Sequence, residues 1–599
     1  LAQTPSPTPT VALTEAEVRS QRLSMGIVPI RRQIDTLAAE YPAQTNYLYL
    51  SYDGAEDEAI TRSDRRVLVL GSGVYRIGSS VEFDWCSVNA VRAARELGYE
   101  TILLNHNPET VSTDFDLCDR LVFDEISLET VLDLWDRERP EGVIVSVGGQ
   151  VSNNLAIHLA RAGVRILGTS AESIDRAEDR HKFSCLCDEI GLDQPRWTEY
   201  TGEEDLSAIA EELGFPLLVR PSYVLSGAAM RVVWEPAHLQ SYLRRAALVS
   251  PDHPVVITRF ETGSKEIEID AVADHGSLVL WAIAEHIENA GVHSGDATLV
   301  IPPQKLYLET VRRIKQATRK LAAALEITGP FNIQFLAKSN RIKIIECNLR
   351  ASRSAPFLSK AGKVNFVDVA TRIMLGHPPP AMESRTLDMD YVAVKAPQFS
   401  FSRLTGADPT LGVEMASTGE VACFGEDLYE ALLKSLEATG FRRPRPGAGV
   451  LLSIGGDEAK EDFLTAAGLL LAEGHPLWAT RGTAAFLAAR GFAVAEVRKQ
   501  SEEAPSQTVL GKGPTDPSEA PLSVVDLLRT GRIGLVVNIP KGYGDEESRD
   551  GYQIRRTAVD LGIPLMTNAQ LARVVVKALV RTPPEALLAK PWSAYVPGT

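Results

Sequence analysis

One stretch of alternating side chains constrains the fold of this chain more than any other feature. Residues 331–347 hold two apolar-rich alternating runs, and the polar pair Ser339-Asn340 separates them. This pattern predicts a β-hairpin. A loop centred on the asparagine places Gln334 directly across from Glu346, where cross-strand Cβ atoms lie about 5 Å apart.

The same hairpin predicts one polar face with metal-binding chemistry. Side chains in a strand alternate with period two, so Asn348 and Arg350 share the face of Glu346. Amide and carboxylate oxygens suit Mg²⁺ or Mn²⁺, which typically keep nucleotide phosphates as their remaining ligands. The alternative is the solvated polar face of an ordinary hairpin. The residues expected to face a core are Ile333, Phe335, Ile345 and Cys347.

Length and charge exclude several classes of protein. A chain of 599 residues is expected to hold about four domains. Its net charge of −16 argues against a nucleic-acid surface. The six cysteines are too scattered for a disulfide framework, and Cys185-x-Cys187 lacks the second pair that a zinc site needs. Because proteins without disulfides are typical of reducing compartments, we expect a cytosolic location, with an organelle matrix as the alternative. No apolar run reaches about 18 residues, so no membrane span is predicted.

The sequence pattern changes once within the first 150 residues, from a helical spacing of apolar residues to alternating strands and helices. Residues 14–48 carry apolar side chains at spacings of three and four, which predicts a helix, and residues 1–10 read as a fragment edge or linker. From residue 66 onward, buried strands over 66–70, 101–104 and 142–147 alternate with helical segments. That alternation predicts a parallel sheet covered on both faces.

The glycine loop after the first of these strands, residues 71–78, does not match a dinucleotide fingerprint. Arg76 interrupts the glycine spacing, and Asn105 ends the next strand where a ribose-binding carboxylate is expected. The loop is then either a tight turn or a site where backbone N–H groups hold an anion. The polar stretch 107–114 lies where such sheets bind ligands.

Further polar clusters follow in the middle of the chain. A strand ends at Arg220, and the small-residue turn 224–230 after it would let backbone amides approach phosphates. The Glu266-x-Glu268-x-Asp270 pattern places three carboxylates on one strand face, which is costly unless a cation, hydroxyls or water faces them. Residues 285–296 combine two histidines and several acids with glycines, which is typical of a site.

The sequence pattern of the C-terminal part predicts another α/β unit after a linker at 442–449. Its strands are expected over 450–454, 476–479 and 534–538. A helix starts near Thr483, and it either binds an anion or is simply capped by that threonine. The cations that would add positive charge there are Lys499, Lys541, Arg555 and Arg556.

Several of these motifs together resemble the carbamoyl phosphate synthetase family. They are Arg220-Pro-Ser-Tyr-Val, the 285–296 stretch, Glu346-x-Asn348-x-Arg350, the 107–114 stretch and Glu82-Phe-Asp. The resemblance is to the second, carbamate-phosphorylating half of the large chain with its regulatory domain, over residues 14–580.

The resemblance implies an α/β and α+β multidomain fold. Residues 1–64 would be a short N-terminal helical segment, the end of a helical oligomerisation domain and a linker. A biotin-carboxylase-like preATP-grasp domain would cover 65–183, and an ATP-grasp domain with its extension 184–441. A methylglyoxal-synthase-like allosteric domain would cover 442–599.

The resemblance also implies roles for individual residues, which are assigned by their positions in the matching motifs. Nucleotide contacts are expected at Arg220, Arg259, Glu261, Glu266, Gly291, Val292, His293, Ser294, Gln334 and Glu346. Metal ligands are expected at Gln334, Glu346 and Asn348, and phosphate or carbamate clamps at Arg180, Arg350 and Arg353. Effector contacts are expected at Thr480, Thr483, Lys499 and Asn538.

The implied activity is a ligase reaction in which ATP phosphorylates carbamate to carbamoyl phosphate, under allosteric control by the C-terminal domain. The implied cofactors are Mg²⁺ or Mn²⁺, with K⁺ as a further candidate. The implied partners are an N-terminal synthetase half, a glutaminase chain or domain as ammonia source, and a second copy in a homo-oligomer. UMP, IMP, ornithine and N-acetylglutamate stay open as effectors. The alternative function is an idle effector-binding scaffold that supports a separate catalytic half.

Overall fold

Within the residues that the computed structural model describes, four β-sheets follow one another in sequence order. It describes residues 13–42, 44–54, 56–58, 63–77, 81–201, 206–220, 230–249, 255–380, 389–502, 523–540 and 545–595. No helix within these ranges is long and apolar enough to cross a bilayer.

The first sheet has six strands in the order β1-β2-β5-β4-β3-β6, and β2 to β6 pair in parallel. The strands are β1 (Ile30–Gln33), β2 (Tyr47–Ser51), β3 (Arg66–Leu70), β4 (Glu100–Leu104), β5 (Arg120–Val122) and β6 (Gly142–Ile144). The helices are α1 (Glu15–Ser24), α2 (Val81–Glu96), α3 (Leu128–Glu138), α4 (Gln150–Asn153), α5 (Ala156–Arg161), α6 (Ala171–Glu178) and α7 (Arg180–Glu189).

A four-stranded antiparallel sheet follows, in the order β7-β10-β8-β9. Its elements are β7 (Trp197–Tyr200), α8 (Leu206–Leu213), β8 (Leu217–Arg220), β9 (Arg231–Val233), α9 (Pro236–Val249) and β10 (Val255–Arg259). The buried apolar side chains of this unit form a cluster of their own. We call residues 197–259 the small subdomain.

The third sheet has seven antiparallel strands in the order β15-β14-β11-β12-β13-β16-β17. The strands are β11 (Lys265–Asp274), β12 (Ser277–Asn289), β13 (Leu299–Ile301), β14 (Gly329–Lys338), β15 (Arg341–Asn348), β16 (Val392–Gln398) and β17 (Gly419–Gly425). The helices are α10 (Leu308–Ala324), α11 (Ala355–Gly362), α12 (Phe366–Met374) and α13 (Leu428–Ala438).

The last sheet has five parallel strands in the order β20-β19-β18-β21-β22. The strands are β18 (Gly449–Ile454), β19 (Leu477–Thr480), β20 (Val494–Val497), β21 (Ile533–Ile539) and β22 (Leu565–Met566). The helices are α14 (Asp457–Ala472), α15 (Arg481–Ala488), α16 (Val524–Arg529), α17 (Asp545–Asp560) and α18 (Ala569–Arg581).

Continuous apolar cores join the larger sheets. Leu68 and Leu70 of the first sheet belong to the same buried cluster as Ile267 and Ile333 of the third. Another cluster joins strands of the third and fourth sheets. Because the small subdomain packs around a separate core, it is the unit best suited to move against the others.

The predicted N-terminal helix is wrong beyond its first third. The helix ends at Ser24, whereas Ile30–Gln33 and Tyr47–Ser51 pair as antiparallel strands at the edge of the first sheet. Ile30 and Leu48 are buried there. Tertiary pairing therefore overrides the helical spacing of the apolar residues, and Ile30–Gln33 and Tyr47–Ser51 extend the first sheet.

The predicted hairpin is confirmed, with one irregularity. Gln334 and Glu346 are direct cross-strand partners. Ser339 and Asn340 form the two-residue turn with φ values of 50° and 63°, the left-handed conformation of a type I′ hairpin. A register shift beside Gln334 buries Ile344 and leaves Ile345 lining a pocket, so the prediction that Ile345 faces the core is wrong.

Buried charges fasten the N-terminal strands to the first sheet. Glu138 at the end of α3 is fully buried and binds the guanidinium groups of both Arg31 on β1 and Arg120 on β5. Arg120 also donates to Glu100 at 2.8 Å.

We expect Glu138→Gln to lower the free energy of unfolding by about 3–5 kcal/mol, because removing one member of a buried ion network leaves the others uncompensated. Urea titration followed by circular dichroism measures the loss. The matched control is Glu141→Gln, since Glu141 is 40% exposed and lies 3.8 Å from Arg65. The control should change the free energy by less than about 0.5 kcal/mol. Equal losses in the two variants would contradict the stabilising role of the network.

Candidate functional site

One pocket between the small subdomain and the seven-stranded sheet collects all of the predicted nucleotide, metal and clamp residues. We call it the central pocket. The predicted residues that line it are Arg180, Arg220, Arg259, Glu261, Glu266, Gly291, Val292, His293, Ser294, Gln334, Glu346, Asn348, Arg350 and Arg353.

Glu346 is the charged centre of the pocket. Arg180, the first residue of α7, donates to its Oε2 at 2.5 Å, and Arg220, the last residue of β8, donates to the same oxygen at 3.2 Å. Burial opposes ionisation, but the two guanidinium groups hold the pKa of Glu346 well below its usual range. The carboxylate is therefore charged at neutral pH.

Two amides flank this carboxylate on the hairpin face. Asn348 donates from Nδ2 to Glu346 Oε1 at 3.1 Å and accepts from Arg350 at 3.4 Å. Gln334 donates from Nε2 to Ser294 Oγ at 3.1 Å. The oxygen-bearing groups that the sequence places on one strand face thus converge beside one another.

The three carboxylates of β11 lie beneath this face. Glu268 pairs in register with Gln334, and Asp270 pairs with Asn332. Burial and then the neighbouring carboxylates raise the pKa of Glu266 to about 8, and burial and Glu268 raise the pKa of Asp270 to about 8. All three side chains are buried, so this strand face does not point into bulk solvent.

The central pocket carries an excess of positive charge. Five arginines and Lys395 line it, whereas Glu266 holds its proton at neutral pH. Burial and the adjacent Arg180 lower the pKa of Arg220 only to about 9, so that guanidinium stays charged. Such a field favours a polyanion.

The clamp arginines are held in place by the first domain. Arg350 donates from Nε to Gln150 at 2.9 Å, and Arg353 donates from Nη2 to Glu82 at 2.7 Å. The Nε atoms of Arg220 and Arg353 are buried, and neither has a hydrogen-bond partner among the described residues. These donors are suited to oxygen atoms of a bound anion.

Two other predicted nucleotide contacts already have protein partners. Arg259 donates to the carbonyl oxygen of Phe215, and Glu261 accepts from Lys343 at 2.5 Å. Both line the pocket, and their contact with a nucleotide stays a prediction.

One part of the 285–296 stretch makes structural hydrogen bonds, and another part lines the central pocket. Glu288 accepts from Thr298, whereas His293 and Ser294 line the pocket. Burial lowers the pKa of His286 to about 3 and also lowers the pKa of His293, so both imidazoles are neutral at physiological pH. Neither belongs to a protein-only metal cluster within the described ranges.

Lys395 is the functional candidate that the sequence analysis missed. Its side chain is only 1% exposed, and Nζ lies 3.5 Å from Glu420 and 3.5 Å from the carbonyl oxygens of Ser294 and Gly295. The signal in the sequence is a lysine inside the apolar run 392–396, which a strand buries only when an acid or a ligand faces it.

Other predicted ligand-binding stretches lie elsewhere. The polar stretch 107–114 does not line the central pocket; its Ser112 bonds to Asn105 and Asp84 instead. Residues 224–229 of the small-residue turn, Gly78 of the glycine loop and Lys541 lie outside the described residues.

A second cavity of 660 Å³ lies at the last sheet, and the four predicted effector residues Thr480, Thr483, Lys499 and Asn538 all line it. We call it the regulatory pocket. Thr483 bonds through its hydroxyl to the backbone of Ile454, so part of its role is to fix the strand. Arg555 lines the cavity, whereas Arg556 does not; it binds carbonyl oxygens of residues 401–407.

The donor set fits a divalent metal ion that a nucleotide completes. Gln334, Glu346 and Asn348 offer one carboxylate and two amides, whose oxygens suit Mg²⁺ or Mn²⁺. No group of three or more His, Cys, Asp or Glu side chains in the described part of the chain could hold a metal by itself. Waters and nucleotide phosphates would supply the remaining ligands.

Comparison with known protein families agrees with this division of the chain. The carbamoyl phosphate synthase preATP-grasp domain matches residues 63–176, and the carbamoyl-phosphate synthase L chain ATP binding domain matches residues 179–381. The MGS-like domain matches residues 462–567. The resemblance inferred from the motifs is confirmed.

The chain matches only part of the length of its curated relatives. Multifunctional protein pyr-3 of Neurospora crassa is 52% identical over 95% of this chain and 30% of that protein. Multifunctional protein URA2 of Saccharomyces cerevisiae is 52% identical over 95% of this chain and 25% of that protein. Mitochondrial carbamoyl-phosphate synthase [ammonia] of Mus musculus is 47% identical over 96% of this chain and 37% of that protein. The chain thus spans less than two fifths of each.

Solved structures confirm the fold class. The biotin carboxylase domain of Hydrogenobacter thermophilus 2-oxoglutarate carboxylase, in complex with MgADP, ADP and bicarbonate, matches with a TM-score of 0.51 and 15% identity, over 63% of this chain and 89% of that one. Biotin carboxylase of Campylobacter jejuni matches with a TM-score of 0.50 and 14% identity, over 62% and 91%. The chain has biotin-carboxylase-like preATP-grasp, ATP-grasp and MGS-like domains.

The raised pKa of Glu266 predicts a pH-dependent stability. The folded chain keeps this proton up to about pH 8, whereas an unfolded glutamic acid loses it near its ordinary value of 4.5. Stability therefore falls as pH rises from about 4.5 to about 8. We expect Glu266→Gln to remove part of this decline and to be more stable than the wild type above pH 8, on the order of a few kcal/mol.

Urea unfolding midpoints between pH 5 and pH 8.5, without nucleotide, measure the effect. The control is Glu309→Gln on α10, whose side chain is 49% exposed. A Glu266→Gln profile parallel to that of the wild type would show that Glu266 titrates normally.

Proposed function

Because the first two domains belong to the carbamoyl phosphate synthase large-chain family and an MGS-like domain follows them, we propose that this chain phosphorylates carbamate with ATP to give carbamoyl phosphate and ADP. This is the second phosphorylation step of carbamoyl phosphate synthesis, which serves pyrimidine and arginine pathways. The observation that carries the proposal is the ionised Glu346 across from Gln334 and beside Asn348, at the centre of a pocket lined by arginines.

The reaction asks for alignment and charge neutralisation. A carbamate oxygen attacks the γ-phosphorus, the bond from that phosphorus to the bridging β-phosphate oxygen breaks, and ADP leaves with the electron pair. Arg350 and Arg353 hold the transferred group, and Gln150 and Glu82 fix the direction of their guanidinium groups. Prepositioned cations of this kind lower the barrier without reorganising during the reaction.

Gln334, Glu346 and Asn348 would hold Mg²⁺ or Mn²⁺, which would supply positive charge to offset the charge of the phosphates. Arg180 of α7 and Arg220 of the small subdomain donate to the same oxygen of Glu346, so they would meet the phosphates from two different units. The buried donors of Arg220 and Arg353 that have no partner in the described part of the chain support this arrangement. K⁺ binding stays a prediction.

Carbamate decomposes in water, so the pocket would need an internal supply. We propose that a synthetase half and a glutaminase chain or domain provide it, and that the assembly is a homo-oligomer in the cytosol or an organelle matrix. Multifunctional and carbamoyl-phosphate synthase relatives, of which this chain spans 24–37%, support a larger assembly.

We propose that the MGS-like domain binds an anionic effector in the regulatory pocket. Lys460, Arg481, Lys499 and Arg555 line that cavity, and helices α14 and α15 begin there. Helix starts and cations together favour an anion. Thermal-shift measurements with UMP, IMP, ornithine and N-acetylglutamate would identify the effector.

The partial back-reaction tests the activity. We expect the chain to form ATP from carbamoyl phosphate and MgADP, and to lose the activity when EDTA removes the metal. Glu346→Gln removes the charge that pairs with the metal and both arginines, so the rate should fall by at least about 10²-fold. A coupled luciferase assay measures ATP.

Glu309→Gln, on the exposed face of α10, serves as the carboxylate-to-amide control and should keep the wild-type rate. Circular dichroism confirms that each variant is folded. An unchanged rate in Glu346→Gln would reject the metal assignment. A wild-type chain that forms no ATP would favour the scaffold function.

A further inference from the structure

The side chain of Gln150 is held by hydrogen bonds in three directions. Its Oε1 accepts from Nε of the clamp arginine Arg350 at 2.9 Å. Its Nε2 donates to Asn154 Oδ1 at 2.7 Å and to Glu178 Oε2 at 2.8 Å. All four residues line the central pocket. We call the contacts that run from Glu178 through Gln150 to Arg350 the clamp relay.

A tight turn places Gln150 beside the clamp. Gly149 comes a few residues after β6, and helix α4 begins at Gln150. Gly149 has a φ of +77°, and a Cβ added there would lie 2.9 Å from the ring of Phe83, so only a glycine fits. The guanidinium group of Arg350 lies 5.6 Å from the centre of the same ring. The turn therefore brings the amide of Gln150 against Arg350.

Glu178 reaches this amide from the end of helix α6. The buried side chains of Ala171, Ile174 and Ala177 anchor the helix in the core, so its last residue has a fixed position. Glu178 Oε1 also accepts from Nδ2 of Asn153 at 3.1 Å. Both oxygens of the carboxyl group therefore face N–H donors, which is the pattern of the ionised form.

A carboxylate at this position is costly. The carbonyl end of helix α6 opposes a negative charge at its last residue. Burial raises the pKa of Glu178, whereas the nearby Arg350 opposes that rise. Unfavourable placements of this kind are typical of functional sites. The contact that Glu178 makes towards the clamp is its hydrogen bond with Gln150.

The carboxylate decides which way the amide of Gln150 points. An amide can exchange its oxygen and its NH₂ group by turning over, and the hydrogen-bond partners select the orientation. Asn154 can turn over as well, whereas both oxygens of a carboxylate only accept. Because Glu178 accepts from the NH₂ group, the oxygen of Gln150 faces Arg350. The reverse orientation would set the NH₂ group against the Nε–H of Arg350, donor against donor.

The contact with Gln150 is also the shortest hydrogen bond that holds Arg350. Nη1 of Arg350 donates to the carbonyl oxygen of Ala351 at 3.1 Å, and Nη2 donates to Asn348 Oδ1 at 3.4 Å. The bond from Nε to Gln150 measures 2.9 Å. Reversal of the amide would therefore remove the closest restraint on the direction of the guanidinium group.

We propose that Glu178 is a positioning residue for the clamp: it fixes the orientation of the Gln150 amide, and the amide oxygen in turn aims Arg350 at the transferred group. The proposal rests on the proposed function in that Arg350 binds an oxygen of phosphate or carbamate. Glu178 itself touches neither the nucleotide nor the transferred group. Its replacement therefore lowers the turnover number and leaves nucleotide binding unchanged.

Glu178→Gln tests the relay while it keeps the shape of the side chain. The new NH₂ group must face a donor, either that of Asn153 or that of Gln150, so the Gln150 amide is free to turn over. We expect kcat of the ATP-forming back-reaction to fall by about tenfold or more, with the KM for MgADP within about twofold of the wild type. Glu172→Gln, at an exposed position of the same helix, is the matched control and should change neither constant.

The outcomes that contradict the relay are distinct. An unchanged kcat in Glu178→Gln would overturn the proposal, and a lower urea midpoint in that variant would then show that Glu178 only ties helices together. If Glu178→Gln does not fold, Gln150→Ala removes the middle of the relay and should show the same fall in kcat with the same KM. A wild-type kcat in Gln150→Ala would also overturn the proposal.

An exchange of the two groups separates positioning from folding. In the double variant Gln150→Glu with Glu178→Gln, the carboxylate accepts from Arg350 with one oxygen and from the amide with the other. The amide oxygen again accepts from Asn153. We expect kcat to return to within about threefold of the wild type, because the two changes compensate each other. A double variant no faster than Glu178→Gln would overturn the proposal.

Binding of inorganic phosphate, without nucleotide or metal, separates the relay from the proposed reaction. Isothermal titration calorimetry measures the affinity. We expect Glu178→Gln to bind phosphate about fivefold or more weakly than the wild type, and the exchange variant to bind it as the wild type does. Equal affinity in all three proteins, or no binding by the wild type, would overturn the relay. The expected pattern in a chain that forms no ATP would reject the function and retain the relay.

Discussion

The contact between the Glu346 carboxylate and two guanidinium groups is the interaction on which the rest of the structure depends. A single buried carboxylate would be driven to its protonated form. Arg180 and Arg220 keep it ionised, and they approach from two different units, one from helix α7 and one from the small subdomain. The site is therefore assembled only when those units and the hairpin come together. An anionic ligand that competes for either arginine would alter how the units pack.

The carboxylates below this contact have the opposite role. Burial raises the pKa values of Glu266, Glu268 and Asp270, and neighbouring carboxylates raise those of Glu266 and Asp270 further, so these acids neutralise less of the positive field of the arginines. Burial of these acids costs stability in the empty protein. A cation bound nearby would return these groups toward their ionised forms. The unliganded chain is therefore less stable because of these buried acids, and ligand binding restores that stability. Such a loss is common in functional sites.

Local patterns explain which parts of this architecture the sequence predicts. The hairpin register follows from alternation and a two-residue turn, although it also needs the bulge beside Gln334, without which Gln334 would have faced Ile345. The N-terminal prediction failed because the spacing around Ile30 fits a helix as well as an edge strand that packs on a distant sheet. Lys395 was missed because its partners lie on another strand, at Glu420, and in the loop that carries Ser294 and Gly295. The ion pair of Arg555 with Asp408 joins residues 147 positions apart, and no local pattern encodes such a pair.

The connection between β16 and β17, residues 399–418, shows how the last domain is joined to the central pocket. The seven-stranded sheet has the β14–β15 hairpin at one edge and the β16–β17 pair at the other, and this connection returns from the far edge to the pocket. Arg555 and Arg556 of the last domain bind its first half, whereas His293 and Arg353 bind its second half. Because these contacts join units that are far apart in the sequence, the packing of the last domain and the position of the pocket wall opposite Glu346 depend on the same stretch of backbone.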